Sequence, residues 1–568
     1  MTDQTFGGFA GEPSWMARPE PAARRHDARL RLRLVIGAFA LIYFVIAARL
    51  ILLGLGDAGV VAGRGGAADA IASARPDLLD RNGEVLATDI KSSSLYAEPR
   101  KILDPDEAAE AIAGVMPGLN VKSLREKLST KAGFVWLKRE ITPGQQSAIH
   151  ALGIPGVGFL TENKRFYPGG STSAHILGAV NVDNQGIAGI EKFIDDRWLG
   201  DLHASGFART EDLQPVRLSV DLRVQHVMRD ELASAMQRYQ AIAATGIILD
   251  VHTGEVLAMS SLPDYDPNQP ADALLPDRLN RMTAGVFEMG SVFKTFTIAM
   301  ALDTGRVKMT DSFDATHDIR SGRFSISDFH GKHRVLTLPE VFIYSSNIGA
   351  ARIALQAGAD AQQDFFRRVG MMKKMQTELP EAARPIVPAK WAELTSMTVA
   401  FGHGISVTPL HTAAATAALM NGGILIPPTL LPRDEAEAAK LGTRVVQPRT
   451  SDEMRALFRM NVVRGSGRRA EAPGYMVGGK TGTAEKVENG RYSGSKRFNS
   501  FLAAFPMDDP QYVVLVVLDE PQPEKPGMSA TASLNAAPTV AAIIRRSAPM
   551  LGVTPRAPGQ DSALLASY

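Results

Sequence analysis

The chain has 568 residues, 45% hydrophobic and 21% charged, a composition that excludes wholesale disorder and makes several domain-sized units the expectation. Its 62 basic and 60 acidic residues leave a formal charge of +2, too balanced for a nucleic-acid coat, so no nucleic acid is expected as a partner. Cysteine is absent, which removes thiol nucleophiles, disulfides and Cys-ligated metal sites, and suits an oxidising compartment.

The near-neutral total hides a local asymmetry. Residues 18–33 carry six arginines (Arg18, Arg24, Arg25, Arg29, Arg31, Arg33) against Glu20 and Asp27. The run Leu34–Gly56 follows, apolar apart from Arg49 near its far end. At about 1.5 Å per residue it is long enough to cross a hydrocarbon core of roughly 30 Å. A basic flank before such a span predicts a cytoplasmic tail at 1–33, one transmembrane helix at 34–56 and everything after it outside. A cleaved signal peptide and a buried core helix are the alternatives. The apolar run is longer than a signal peptide's, and the small-x-small sites Ala68-Asp69-Ala70 and Ala72-Ser73-Ala74 lie well past Gly56.

Gly54–Ala74 is rich in Gly and Ala and reads as a tether, with the linker at 57–74. From Arg75 short alternating or β-branched runs begin, and Asn82-Gly83 between apolar residues signals a hairpin turn. Lys101–Lys131 reads as helical, Phe134–Leu137 as a strand, and the Gly- and Pro-punctuated stretch Pro155–Asn184 as loop-rich. A new unit begins near Arg217, where Asp221–Tyr239 shows helical apolar spacing. Thr245–Val251 and Glu255–Ser260 read as strands around His252-Thr253-Gly254, and Gly290 opens a long apolar helix. Helical patterns dominate to about Asn421; Tyr475–Lys486, Asn499–Phe505 and Tyr512–Asp519 are then strands. Lys525–Ala537 is a loop, Ala541–Leu551 a closing helix, and the chain beyond it a frayed tail. Two strands, many helices and three more strands predict an α+β fold, an antiparallel sheet with helices on both faces.

Three short motifs carry chemistry. In Ser291-Val292-Phe293-Lys294 the Ser and Lys are three apart, neighbours on one helix face. The helix they open is apolar almost all round, so the lysine is expected to be buried, with a depressed pKa that makes it a base toward the serine. The helix start also offers backbone N–H groups to an oxyanion. Alone the signal is weak: the alternative is that Ser291 is an N-cap beside an incidental charge, and Ser493-Gly494-Ser495-Lys496 repeats the spacing without a helix. A lysine on a buried apolar helix is costly without a role, which favours the functional reading. The second motif, Ser345-Ser346-Asn347, follows an apolar run; Ser345 is a candidate proton relay and Asn347 a candidate partner for Lys294 and a substrate amide, although Ser-x-Asn alone reads as helix capping. The third, Lys480-Thr481-Gly482-Thr483, sits in a strand whose alternation puts Lys480 and Gly482 on one face and the threonines on the other. Its donors suit a carboxylate, and a strand glycine marks close approach of a ligand or another backbone.

Gly474–Thr481 formally matches the phosphate-loop pattern G-x-x-x-x-G-K-T. It follows a polar stretch and runs into Gly482, without the strand before it or the helix after it that such a loop needs. His330 and His333 lie in a polar loop, no His-Glu-x-x-His occurs, and His403 between two glycines borders the site at most.

Ser-x-x-Lys, Ser-x-Asn and Lys-Thr-Gly in this order, 54 and then 135 residues apart, together resemble the penicillin-binding-protein and serine β-lactamase superfamily. Arg75…Leu79-Asp80-Arg81-Asn82-Gly83, Arg165-x-Tyr167-Pro168, Gly186…Gly189-Ile190-Glu191 and Thr408-Pro409-Leu410 resemble the class B penicillin-binding proteins. KTGTAEKVENGRY and FLAAFPMDDPQYVVLVVLDEP are most similar to their division-specific members. Met289 departs from the family, which usually has Pro before the Gly of Gly290-Ser291.

The resemblance implies a single membrane anchor, a non-catalytic pedestal of the dimerisation type at 75–215, a transpeptidase domain at 216–551 and a flexible tail at 552–568, with the catalytic part in the periplasm on the bacterial inner membrane. It implies D,D-transpeptidation: attack by Ser291 on a peptidoglycan stem peptide with Lys294 as base, Ser345 as relay and Asn347 holding an amide. Lys480, Thr481 and Thr483 would hold the substrate carboxylate, Gly482 allowing its close approach, and the N–H groups of Ser291 and Thr483 would form the oxyanion hole. β-Lactams are the implied inhibitors, and a membrane glycan polymerase with other division proteins the implied partners; no metal or organic cofactor is implied. A hydrolase of the same superfamily, an elongation-specific transpeptidase and a non-catalytic division scaffold are the competing readings.

Overall fold

A computed structural model describes residues 36–47, 74–199, 213–322, 324–488 and 491–557. Residues 36–47, within the predicted span, form a helix with exposed side chains. Among the described residues no helix is long and apolar enough to cross a membrane. The basic tail, the rest of the 34–56 segment, the linker up to residue 73, and residues 558–568 lie outside the described residues.

From Ala74 the chain builds a sheet from β1 (Leu78–Leu79), β2 (Val85–Ala97), β3 (Val135–Ile141) and β4 (Val157–Phe166). β1 and β2 form the hairpin expected at Asn82-Gly83, where Gly83 takes φ +95°. β2 is the spine, pairing antiparallel with both β3 and β4. The helical segment 101–131 is two helices, α1 (Pro105–Val115) and α2 (Val121–Leu128), because Pro117-Gly118 interrupts it. Both pack on the sheet through Ala109, Ile112, Leu124 and Leu128.

The loop-rich stretch from Pro155 to Asn184 contains the ten-residue strand β4. Its polar centre hides the strand pattern, because the charged residues there are matched by tertiary partners. Glu162 meets Arg139 at 2.6 Å, and Arg165 meets Glu191 at 2.7 Å and Asp89 at 3.0 Å. Arg75 completes this buried cluster, 2.8 Å from Glu191 and 2.8 Å from Asp195.

β5 (Val216–Arg217) adds to this first sheet in parallel with β1, so the two halves of the chain are joined by backbone. Asp80 reinforces the joint, accepting Asn82 N and Glu84 N in its own hairpin and Leu222 N at the start of α3 (Leu222–Tyr239).

The second half is organised by a five-stranded antiparallel sheet of β6 (Ala243–Asp250), β7 (Val256–Leu262), β8 (Gly478–Glu488), β9 (Arg491–Phe505) and β10 (Tyr512–Asp519), in the order β8-β9-β10-β6-β7. Period-two alternation makes β10 a two-faced core strand. Val513, Leu515 and Val517 enter one core, with the α4 helix (Lys294–Asp303), and Val514, Val516 and Leu518 enter the other, with α3. Helices on both faces of an antiparallel sheet are the expected α+β architecture.

The last helix among the described residues spans Ala536–Ser547, earlier than the periodicity suggests, with the Asn535 side chain accepting Ala536 N at its start. The segment after it is not frayed at once. Val553 packs into the second core, Arg556 N donates to Gly474 O at 2.8 Å, and the Arg556 guanidinium pairs with Asp508.

Candidate active site

Gly290–Phe293 form one 3-10 turn before α4, a tighter start than the regular helix expected. Side chains three apart eclipse in a 3-10 turn, which suits the pairing of Ser291 with Lys294. Lys294 Nζ lies 2.9 Å from Ser291 Oγ, and Lys294 is fully buried. Ser345 O at 2.6 Å, Ser345 Oγ at 3.1 Å and Asn347 Oδ1 at 2.7 Å complete its surroundings. Two of these four oxygens are hydroxyls, able to donate to a neutral amine as readily as accept from an ammonium. Burial brings the lysine's pKa down to about 7, against a smaller upward pull from Asp328. A base with that pKa is half neutral near neutrality.

Ser345 is aimed at this amine by a left-handed backbone, φ +59°. Ser346 then caps the α5 helix (Asn347–Ala357), its Oγ accepting Gly349 N. Asp328 fixes the start of that helix. It accepts Ser346 Oγ at 2.7 Å, Asn347 N at 2.5 Å and Ile348 N at 3.0 Å. A carboxylate among the free N–H groups of a helix N-terminus is favourably placed. Asn347 is held at both ends, Nδ2 donating to Ser327 O at 2.9 Å.

β8 forms the opposite wall. Lys480 Nζ donates to Ser345 Oγ at 2.9 Å and to Thr481 O at 3.1 Å. Burial, and then the charge of Lys294, push Lys480 well below an ordinary lysine pKa. Gly482 is where this strand meets the serine turn: a Cβ there would lie 2.7 Å from Met289 O and 2.4 Å from Ser500 Oγ. Thr483 lies against the same turn, since a Cβ on Gly290 would come 2.9 Å from Thr483 O. Thr481 Oγ1 shares a 2.8 Å hydrogen bond with Ser466 Oγ, and Thr483 Oγ1 accepts Ala532 N at 3.3 Å.

The structure thus brings Ser291, Lys294, Ser345, Asn347 and Lys480 into one hydrogen-bonded group, with Thr481, Gly482 and Thr483 along its strand wall. The formal phosphate loop ends inside β8, not at a helix. Sequence reasoning misses Asp328 and Ser466, both in polar loops with no local pattern. It also misses Glu288, which accepts Gly404 N at 2.7 Å and Tyr492 OH at 3.2 Å. His403 does border the group. Its ring stacks on Tyr492 with centroids 5.1 Å apart, and burial, then the charge of Lys294, push its pKa down to about 4, so it stands neutral.

A hydroxyl beside a buried, weakly basic amine, with further amine and hydroxyl donors on the facing wall, is the equipment of a serine acyl transferase. Residues 244–545 match the family model described as the penicillin binding protein transpeptidase domain, and residues 70–200 that of the penicillin-binding protein dimerisation domain. The chain is 39% identical to a probable peptidoglycan D,D-transpeptidase FtsI of Caulobacter vibrioides, over 94% of this chain and 90% of that one. It is 30% identical to the peptidoglycan D,D-transpeptidase FtsI of Escherichia coli K12, over 80% of each chain. Its fold is similar to that of penicillin-binding protein 3 from Mycobacterium tuberculosis, with a TM-score of 0.65 at 24% identity over 86% of this chain and 98% of that one. The chain belongs to the penicillin-binding-protein transpeptidases, in the group of the FtsI-type peptidoglycan D,D-transpeptidases.

Proposed function

We propose that this protein cross-links peptidoglycan stem peptides during septal wall synthesis through an acyl-enzyme on Ser291. The observation that carries the reading is the 2.9 Å contact between Ser291 Oγ and a buried Lys294 amine of pKa about 7. Lys294 takes the Ser291 proton as Oγ attacks the penultimate D-alanine carbonyl of a donor stem. The N–H groups of Ser291 and Thr483 receive the oxyanion. Ser345, in reach of both lysines, relays the proton to the departing terminal D-alanine. Lys480, Thr481 and Thr483 hold the donor's terminal carboxylate beside Gly482, and Asn347 orients its amide. The amine of a second stem then attacks the acyl carbonyl, forms the cross-link and frees Ser291. β-Lactams acylate the same hydroxyl.

The domain plan belongs to the same proposal. Residues 1–33 are a cytoplasmic tail and 34–56 an anchor in the inner membrane. Residues 57–74 are a linker, 75–215 a pedestal and 216–551 the periplasmic transpeptidase, with a tail at 552–568. The anchor and pedestal are the surfaces offered to a membrane glycan polymerase and other division proteins.

Intact-mass spectrometry with a penicillin tests the site. One stable adduct that disappears in Ser291→Ala supports it. An adduct that clears within seconds points to a hydrolase, and no adduct removes the catalytic assignment in favour of a scaffold.

A further inference from the structure

The loop that supplies Asp328 also carries side chains the acyl-transfer chemistry leaves unused. Phe329 is 70% exposed, a large apolar ring standing in water beside a polar site. The Arg497 guanidinium lies 5.9 Å from its ring centroid, and the Lys332 ammonium lies 4.8 Å from the ring of Tyr344, the residue before Ser345. Arg334 close by is taken up by Glu340 at 2.6 Å. Among the described residues no carboxylate lies within ion-pair distance of Arg497 or Lys332.

The contact joins the two walls of the site. Phe329 follows Asp328, which holds Ser346 and Asn347. Arg497 stands in register with Glu485 on the β8–β9 hairpin, two residues past Thr483. A cation on an aromatic face at the protein surface is weakly held, whereas a guanidinium–carboxylate pair is charge-assisted and bidentate. With exposed Glu485 across from Arg497, the cluster is two separate free cations and not a basic track. That matches the one or two carboxylates of a peptide and does not match a polyanion.

We propose that Arg497 and Lys332, seated on Phe329 and Tyr344, bind the internal carboxylates of an acidic stem peptide, separate from the terminal carboxylate assigned to Lys480. Arg497 leaves the Phe329 ring for the carboxylate, and the freed ring covers the peptide's apolar side. The proposal rests on the transpeptidase reading of the same site and adds to it a preference for free over amidated stems.

The full-length Ser291→Ala chain in detergent, which cannot be acylated, is titrated by fluorescence anisotropy with two labelled pentapeptides ending in D-Ala-D-Ala. One has its internal carboxylates free and the other has them amidated. The free-acid peptide is expected to bind about tenfold tighter, and adding Arg497→Gln and Lys332→Gln is expected to abolish that difference while the amidated peptide keeps its affinity. Equal binding of the two peptides by the Ser291→Ala chain overturns the proposal. So does equal loss for both peptides in the triple variant, since that reports a damaged site and no carboxylate recognition. Penicillin acylation of the unsubstituted chain separates the two readings. If it stands while the peptides are not distinguished, only this proposal falls; if it is absent, the transpeptidase reading falls and takes this one with it.

Discussion

Lys294 Nζ and Lys480 Nζ converge on one oxygen, Ser345 Oγ, at 3.1 and 2.9 Å. Two ammonium groups this close in a buried pocket repel, so one proton is readily given up, and the pair titrates as a unit. Lys294, brought down to about 7, is the group that must be neutral to accept the Ser291 proton. Penicillin acylation should therefore rise with pH, with a limb near 7, and fall about tenfold per unit below it. Stopped-flow acylation rates across that range check this. A rate flat from pH 5.5 to 8.5 removes Lys294 as the base.

Asp328 pulls that pKa upward, and it also holds the start of α5. Asp328→Asn removes the negative charge, which lowers the Lys294 pKa further and moves the limb to lower pH. It also loosens Asn347, whose displacement by about 1 Å is enough to cost on the order of 10²-fold in the plateau rate. The two effects separate in one pH profile. A limb moving upward contradicts the electrostatic account, and an unchanged plateau contradicts the positioning role.

The pairing of Ser291 with Lys294 is legible in the sequence, because three-residue spacing on an apolar helix is a local fact. Asp328 is not. It lies 18 and 19 residues from its partners Ser346 and Asn347, in a loop whose polarity reads only as solvation. The strand Val157–Phe166 is hidden for a related reason: Glu162 and Arg165 look like surface residues until Arg139 and Glu191 arrive from elsewhere in the chain. Helix and strand periodicities report burial of apolar groups. They are silent about polar groups buried against distant partners, and that is where both the loop's role and the N-terminal domain's interior lie.

Gly482 is legible as a point of close approach, and the structure identifies what approaches: the carbonyl of Met289, two residues before Ser291. In Gly482→Ala the new methyl must displace either Ser500 or the serine turn. Overpacking of this kind costs about 1–3 kcal/mol, and a shift of the turn slows acylation by about 10²-fold. Thermal melting and acylation rate measured together check it. Wild-type acylation in this variant means that the strand and the turn are not rigidly joined.

Glu191 is fully buried between Arg75 at 2.8 Å and Arg165 at 2.7 Å, far in sequence from the acylation chemistry. The two guanidinium groups hold its carboxyl below the usual range, against burial, which pulls the other way. Its stabilising contribution is present above the unfolded-state pKa and is lost as pH falls through the depressed folded one. In Glu191→Gln an amide N–H must face a guanidinium N–H that needs an acceptor, while Asp89 and Asp195 still balance the two arginines. The expected loss is about 3 kcal/mol at pH 7, shrinking toward acid pH, where wild type loses the same contribution. Asp195→Asn, altering a partner at the edge of the cluster, is the milder version should the first variant fail to fold. Denaturant melts at pH 7 and at pH 3 read the difference. A deficit that does not shrink in acid rules out the ionised carboxylate as the source of the stability.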